Sequence, residues 1–336
     1  MKDIDIELVD TVRRYIASGI EQQVDYEKFY LYSLITHSTA IEGSTVTEVE
    51  NQLLFDEGIA AKGRSLDEQM MNVDLKNAYV FGFNWTKNPK PYTVKFLCEL
   101  SEMVMRRTGT KYSVLGGEFD SSKGDLRRCN VSAGVGGKSY LAFTKVPKAT
   151  EDFCKWLNAA LQTIDRNDIA ACYRLSIETH FRLVTIHPWV DGNGRTTRLV
   201  MNMVQRQLGL IPSIVTRDNK AEYIQALIDT RENEDPAIIE DVMLKHHVQN
   251  LENRILQYHK SSADTANDTV SDTVKTSTLQ RLLAIIQEHP DYTYEQYAAL
   301  LGVGRATIAR NIKKLSETGS ISRVGADKDG YWKILR

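Results

Sequence analysis

At 336 residues, with 42% of them apolar and a formal net charge of −2, the chain is long enough for two domains and for a full core without covalent staples. The near balance of charge excludes a uniformly basic nucleic-acid coat and a polybasic membrane-surface protein, while a local basic patch stays open. Cys98, Cys129, Cys154 and Cys172 stand far apart with no Cys-x-x-Cys pair, so the sequence indicates neither a zinc site nor a disulfide framework, and reduced thiols in a cytoplasmic protein are expected.

The opening decapeptide, MKDIDIELVD, is too acidic and polar for a signal peptide, and no apolar run reaches the roughly 18 residues that cross a bilayer. From Glu21 to Ile41 the apolar residues Val24, Phe29, Leu31, Tyr32, Leu34 and Ile35 repeat near every 3.6 positions, which predicts a helix ending at Glu42-Gly43. Further helices are predicted over Ser65–Phe83, Val94–Arg107, Thr150–Ile164 and Ile169–Ile186. Another runs from Thr196 to Leu208, closed by Gly209 and Pro212. Strand signals are scarce except at 126–143, LRRCNVSAGVGGKSYLAF, where β-prone residues flank a Gly-Val-Gly-Gly turn and predict a hairpin. Residues 261–277, SSADTANDTVSDTVKTS, are too polar to pack and read as an interdomain linker. Beyond it, helical patterns and a short hairpin predict a winged helix-turn-helix. Thr293 caps its second helix, Gly302 makes its turn, and Ala306, Ile308, Ala309, Ile312 and Leu315 face inward.

Residues 187–198, HPWVDGNGRTTR, place a histidine, an aspartate, Gly-Asn-Gly and two arginines in one short stretch. A plain loop with positive-φ glycines and solvated arginines accounts for each residue singly and poorly for the set. Pro188 bars helix continuation and leaves His187 at a helix end facing the loop, a position that suits a base. Gly192, Asn193 and Gly194 open the next helix, whose first N–H groups lack partners and carry the positive end of the dipole, an anion cradle. Arg195 and Arg198, three apart, share a face where two guanidinium forks can grip successive phosphates. Asp191 beside the cradle would repel phosphate unless a divalent cation lay between them, and magnesium suits a carboxylate plus phosphate oxygens.

The segment resembles the signature of Fic-domain proteins, His-Pro-Phe-x-Asp/Glu-Gly-Asn-Gly-Arg-x-x-Arg, with Trp189 in place of the usual phenylalanine as the one departure. The resemblance, which spans roughly residues 20–255, implies a mostly α, Fic-type helical core that transfers AMP from ATP to a protein hydroxyl. His187 would then be the general base and Asp191 would hold Mg2+ on the α- and β-phosphates. The Gly192–Gly194 nest and Arg195 would stabilise the leaving pyrophosphate, and Arg198 would hold the γ-phosphate. The 126–143 hairpin is similar to the family's flap, which aligns a target segment by strand addition, and Tyr223 in NKAEYIQAL is similar to the tyrosine that contacts the nucleotide base. STAIEG, Ser38 to Gly43, matches the family's inhibitory pattern through Ser38, Glu42 and Gly43. If that helix packs on the motif, Glu42 pairs with Arg198; an ordinary helix end with Gly43 left-handed fits the same residues.

These readings divide the chain into an N-terminal helical region with the inhibitory helix (1–110), a Fic catalytic core (111–258), a linker (259–277) and the winged helix (278–336). They make it an autoinhibited adenylyltransferase that modifies a Ser, Thr or Tyr hydroxyl of a protein, itself included. Two alternatives stay open: a hydrolase that uses Glu42 to remove AMP, and a DNA-binding regulator carrying a Fic module. DNA or a protein is a candidate partner for the winged helix, through Arg305, Arg310, Lys313 and Lys314. The oligomeric state, including a homodimer, is open. His180, His246 and His247 have no metal-ligand spacing and are expected to be structural.

Overall fold

In the computed structural model, which describes residues 2–132, 139–267, 282–283, 285–287, 289–301, 304–317, 320–325 and 330–335, helices begin where the sequence supplies a cap. Thr47 and Ser65 each accept a hydrogen bond from the N–H three residues on, and Glu50 and Glu68 reach back, so two capping boxes start neighbouring helices. In chain order the first unit, Met1–Tyr258, contains α1 (Asp3–Ala17), α2 (Tyr26–Ile41), α3 (Glu48–Glu57), α4 (Leu66–Trp85) and α5 (Val94–Met105). The hairpin β1 (Lys111–Val114) and β2 (Gly117–Asp120) follows, then α6 (Val146–Thr163), α7 (Ile169–Ile186), α8 (Asn193–Gln207), α9 (Lys220–Asn233) and the start of α10 (Ala237–Asn267).

α8 is the axis of this unit. It packs on α7, α4, α5 and α2, and every residue from Arg195 to Gln205 is buried. Leu199, Val200, Met201, Met203 and Val204 fill the core, so the polar side chains on the same helix must find partners inside. Asn202 accepts from the Tyr79 hydroxyl at 2.7 Å and donates to the Ser213 carbonyl at 2.9 Å. Gln205 donates to Ser176 Oγ at 3.0 Å and to Ser213 Oγ at 2.9 Å.

Several expectations change. Val24 and Phe29, counted in the apolar repeat of the helix at 21–41, are exposed, and Tyr30, Ser33, Thr36 and Thr39 are buried instead. α2 starts later than the periodicity suggests, at Tyr26, and it buries polar residues because α3 and α4 cover it. A hairpin at 111–120 was not expected, although Leu115-Gly116 closes it as a two-residue turn and Tyr112 stacks on Phe119 across the strands at 5.0 Å. The hairpin at 126–143 is reduced to a single bridge, Ser132 to Ser139, and its Gly-Val-Gly-Gly turn lies outside the described residues. α10 continues to Asn267, into the stretch read as linker, and residues 268–277 lie outside the description. The regions 1–110 and 111–258, separated on the sequence, share one core.

The second unit, His259–Arg336, contains helical residues at 282–283 and 285–287, α11 (Tyr294–Leu301), α12 (Arg305–Glu317) and the antiparallel pair β3 (Ile321–Val324) and β4 (Tyr331–Ile334). Thr293 accepts from the Gln296 N–H and the Gln296 side chain reaches back to the Thr293 N–H, a capping box for α11. Leu282, Ile286, Tyr297, Ile308, Ile312, Leu315 and Ile321 form its core; Ala309 is half-buried, and Ala306, expected to face inward, is exposed in the first turn of α12. Gly302 lies outside the described residues. No helix among the described residues is long and apolar enough to cross a membrane.

The buried histidines give the first unit a pH dependence. His180 and His247 are sealed in the core, bonded to the Tyr223 and Tyr173 hydroxyls at 2.7 and 3.0 Å. His246 pairs with Glu222 at 2.8 Å. Burial first, then Arg198 for His180 and Arg254 for His247, pushes both imidazoles from 6.5 down to about 3. Their folded pKa lies below the unfolded one, so their contribution is complete above 6.5 and is lost as pH falls toward 3. By about pH 5.5 the pair should cost about 3 kcal/mol relative to alkaline buffer. Urea midpoints followed across that range check this, and a midpoint that does not move contradicts it.

Candidate functional site

α7 ends at His187, whose N–H donates to the Leu183 carbonyl at 3.2 Å while its own backbone turns left-handed, at φ 53. A residue with a Cβ resists that conformation. It is held by what surrounds it: Pro188 forbids the helical alternative, and Arg127 Nε donates to the His187 carbonyl at 2.7 Å. The Arg127 N–H donates to the Pro188 carbonyl, and its guanidinium also donates to the carbonyls of Cys129 and Leu141. One buried arginine therefore ties the motif to both stems of the 126–143 segment. His187 Nδ1 lies 3.3 Å from the Val184 carbonyl, which places its proton there and the lone pair on Nε2. Burial first, with Arg127 and Arg231 adding, pushes this imidazole down to about 4, so it is neutral at physiological pH and competent to accept a proton.

The loop that follows is pinned through Trp189 and Asn193. Trp189 is buried and donates from Nε1 to the Gly124 carbonyl at 3.1 Å. Asn193 closes a ring with the Trp189 backbone, accepting from its N–H at 3.1 Å and donating to its carbonyl at 2.8 Å. Asn193 is thus a loop brace, and the cradle is made of backbone N–H groups. Gly192 precedes α8 in the left-handed region, at φ 75. Asp191 is open to solvent; Oδ1 accepts from the Gly192 N–H and sits 3.6 Å from Arg195 NH2.

The two arginines differ sharply. Arg195 is 3% exposed, touches Met105 Sδ through NH2, and has no partner for Nε or NH1. Burial pulls its pKa down, against Asp191 and Glu42. Buried guanidinium donors without acceptors are costly, and an arriving anion satisfies them. Arg198, equally buried, is fully engaged: Nε donates to Ser38 Oγ at 3.0 Å, and NH2 donates to the Ser38 carbonyl at 2.9 Å and to Glu42 Oε1 at 2.7 Å. Burial alone would raise the Glu42 carboxyl, but Arg198, with Arg195 and Lys220 behind it, holds it below the usual carboxylate range. A Cβ on Gly194 would lie 2.4 Å from Glu42 Oε1 and 2.9 Å from Arg198 NH1. Glycine at 194 is what lets the carboxylate lie against α8.

Glu42 is delivered by the end of α2. Gly43 N–H donates to the Ala40 carbonyl and Ser44 N–H to the Thr39 carbonyl, with Gly43 at φ 103, which together make a Schellman cap. The helix-end reading and the Arg198 contact hold together. A buried polar cluster fixes this end. Thr39 Oγ1 donates to Asn72 Oδ1 at 2.8 Å, Asn51 Nδ2 to Thr36 Oγ1 at 2.7 Å, and Asn72 Nδ2 to Ser44 Oγ at 3.1 Å. Tyr223, expected at the nucleotide base, is 1% exposed. Its hydroxyl bonds His180 and interacts with Arg198, so it stands beneath that guanidinium.

Residues 91–205 match the Fic/DOC family and residues 275–321 match the description "Winged helix-turn-helix DNA-binding". The chain carries a Fic domain. A relative named protein adenylyltransferase Fic, from Drosophila erecta, is 32% identical over 196 residues, covering 57% of this chain and 36% of the relative. The chain thus spans little more than a third of the curated relatives it matches. A Fic-domain-containing signaling protein from Bacteroides thetaiotaomicron superposes with a TM-score of 0.60 at 18% identity, over 74% of this chain and 97% of that one. A Fic family protein from Desulfovibrio desulfuricans superposes at 0.60 and 18% identity, over 100% and 97%. At such identity these two show the fold.

The matched Fic domain contains the whole of 187–198 but not α2, so the residues on Arg198 come from outside it. Arg127 and Tyr140 lie within the Fic domain and touch His187, yet neither was singled out on the sequence. Their partners are backbone carbonyls and a ring far along the chain, which leave no local pattern.

Proposed function

We propose that the chain is an autoinhibited protein adenylyltransferase that moves AMP from ATP to a Ser, Thr or Tyr hydroxyl of a protein, including itself. The observation that carries this is the contrast between Arg195, buried with donors unsatisfied, and Arg198, whose fork is taken by an internal carboxylate. Phosphates entering the cradle at the start of α8 meet backbone N–H groups and the Arg195 donors. His187 Nε2 takes the proton of the target hydroxyl as its oxygen bonds the α-phosphorus, and the bond to pyrophosphate breaks. Asp191 suits magnesium: its carboxylate is a hard oxygen donor at the cradle's mouth, with both of its contacts on Oδ1. Magnesium, when bound, would neutralise charge between that carboxylate and the phosphates. Glu42 on Arg198 keeps the γ-phosphate from its seat and the basal rate low.

The test is intact-mass analysis after incubation with ATP and magnesium, alone and with lysate. A gain of one AMP unit on the protein or on a lysate component is the expected result; no gain from either the parent or a Glu42→Gly variant refutes the proposal.

A hydrolase is the second reading, favoured by Glu42 being an ionised carboxylate at the motif that is able to orient water. The ratio of AMP transfer to removal on one modified target separates the two. For the winged helix, the family description supports duplex DNA as partner, through α12, where Arg305 pairs with Glu295 at one end and Arg310 and Lys313 follow. Affinity should then fall steeply with salt as counterions are displaced, and fluorescence anisotropy with the full chain at about 50 mM salt should show binding. No binding there points to a protein-docking role for this surface.

A further inference from the structure

Tyr140 stacks on His187. The ring centroids are 3.9 Å apart and the planes 17° from parallel. The tyrosine is itself held. Its N–H donates to the Val131 carbonyl at 3.0 Å, the Ser132–Ser139 bridge lies just before it, and Arg127 grips the carbonyl of Leu141 just after it. From α9, the Arg231 guanidinium lies over the phenol ring at 4.8 Å from its centroid, a cation–π contact that adds to the ring stack. His187 is thereby restrained on its backbone by Arg127, at Nδ1 by Val184, and on a ring face by Tyr140. The Nε2 edge remains for a reacting hydroxyl.

We infer that Tyr140 is a positioning residue that fixes the plane of the His187 imidazole, with Arg231 holding the phenol in place. This rests on the reading of His187 as the general base. A histidine ring free to rotate about its last side-chain bond spends part of its time with Nε2 out of line, and small misalignments of a reacting group carry large rate penalties. The stack acts through the imidazole, so it should affect turnover and not ATP binding.

The experiment compares Tyr140→Ala and Tyr140→Phe in a Glu42→Gly parent, which supplies a measurable rate. Tyr140→Ala should lower kcat about tenfold or more with the KM for ATP unchanged, and Tyr140→Phe, which keeps the ring, should restore the rate to within about twofold. NMR of the His187 carbon-bound ring protons gives a readout independent of catalysis: the upfield shift caused by the stacked ring should vanish in Tyr140→Ala and persist in Tyr140→Phe. An unchanged or increased kcat in Tyr140→Ala overturns the inference, as does a His187 resonance that does not move. A Glu42→Gly parent that transfers nothing refutes the adenylyltransferase reading and the base with it, whereas an active parent with an equally active Tyr140→Ala refutes only the positioning role.

Discussion

Glu42→Gly should raise AMP incorporation, into the protein itself and into its target, by about 10²-fold at equal ATP and magnesium. The carboxylate lies 2.7 Å from Arg198 NH2 and against the backbone of Gly194, the two features a terminal phosphate would use on the proposed reading. Two anions do not share one fork. While Glu42 holds it, a nucleotide that enters is displaced and its α-phosphorus is out of line with the hydroxyl. The substitution leaves the helix end intact, because Glu42 closes α2 at φ −85, ψ 2, where glycine is tolerated; its stability cost is the ion pair lost from buried Arg198, which keeps its two bonds to Ser38. Ser38→Ala should release the enzyme less, since Arg198 keeps the Ser38 carbonyl at 2.9 Å and the Glu42 carboxylate. Labelled-AMP incorporation by parent and variant side by side decides. Equal rates make Glu42 a helix end and nothing more, and a variant that has lost removal of AMP from a modified target favours the hydrolase.

His187→Ala, made in the Glu42→Gly background, should reduce transfer about 10²-fold or more while ATP affinity stays near that of the parent. On the proposed reading the imidazole meets the attacking hydroxyl and not the nucleotide; its neighbours are Val184, Arg127 and Tyr140. Asp191→Ala should differ by weakening productive ATP binding as well, because its carboxylate stands at the mouth of the cradle. Isothermal titration with ATP, set beside the transfer rate, separates a lost base from a lost binding group. Full transfer by the His187 variant would remove it from the mechanism.

The site was legible where its chemistry is contiguous. His187, Asp191 and the arginines sit within one turn-and-helix stretch whose spacing carries its own physics, and Glu42 precedes a glycine that ends a helix. What the sequence hid are contacts between distant parts. Arg127 acts on the carbonyl of His187, 60 residues away, and backbone acceptors have no residue identity to read. Asn51 and Asn72, polar residues of α3 and α4, are fully buried against α2, where Asn51 Nδ2 donates to Asn72 Oδ1 and Thr36 Oγ1 and Asn72 Nδ2 donates to Ser44 Oγ. The same packing explains why the inner face of α2 was misassigned: a helix covered on two sides buries polar residues that periodicity counts as outside. Asn193 and Tyr223 were read as nucleotide contacts and are engaged by the protein itself, one with Trp189 and the other with His180.

If Glu42 restrains an adenylyltransferase as proposed, its closeness to Gly194 limits the mutational routes by which the chain can escape that restraint. Any side chain at 194 evicts the carboxylate and, by the same bulk, obstructs the phosphates that would replace it; any loss of Arg198 frees the site and empties it of its clamp. On that reading restraint and reactivity share Gly194 and Arg198, so a change at either one releases the site and disables it together. Escape has to come through α2, or through Asn51 and Asn72, which hold its end. Those positions can drift toward a permanently active enzyme while the motif itself remains intact.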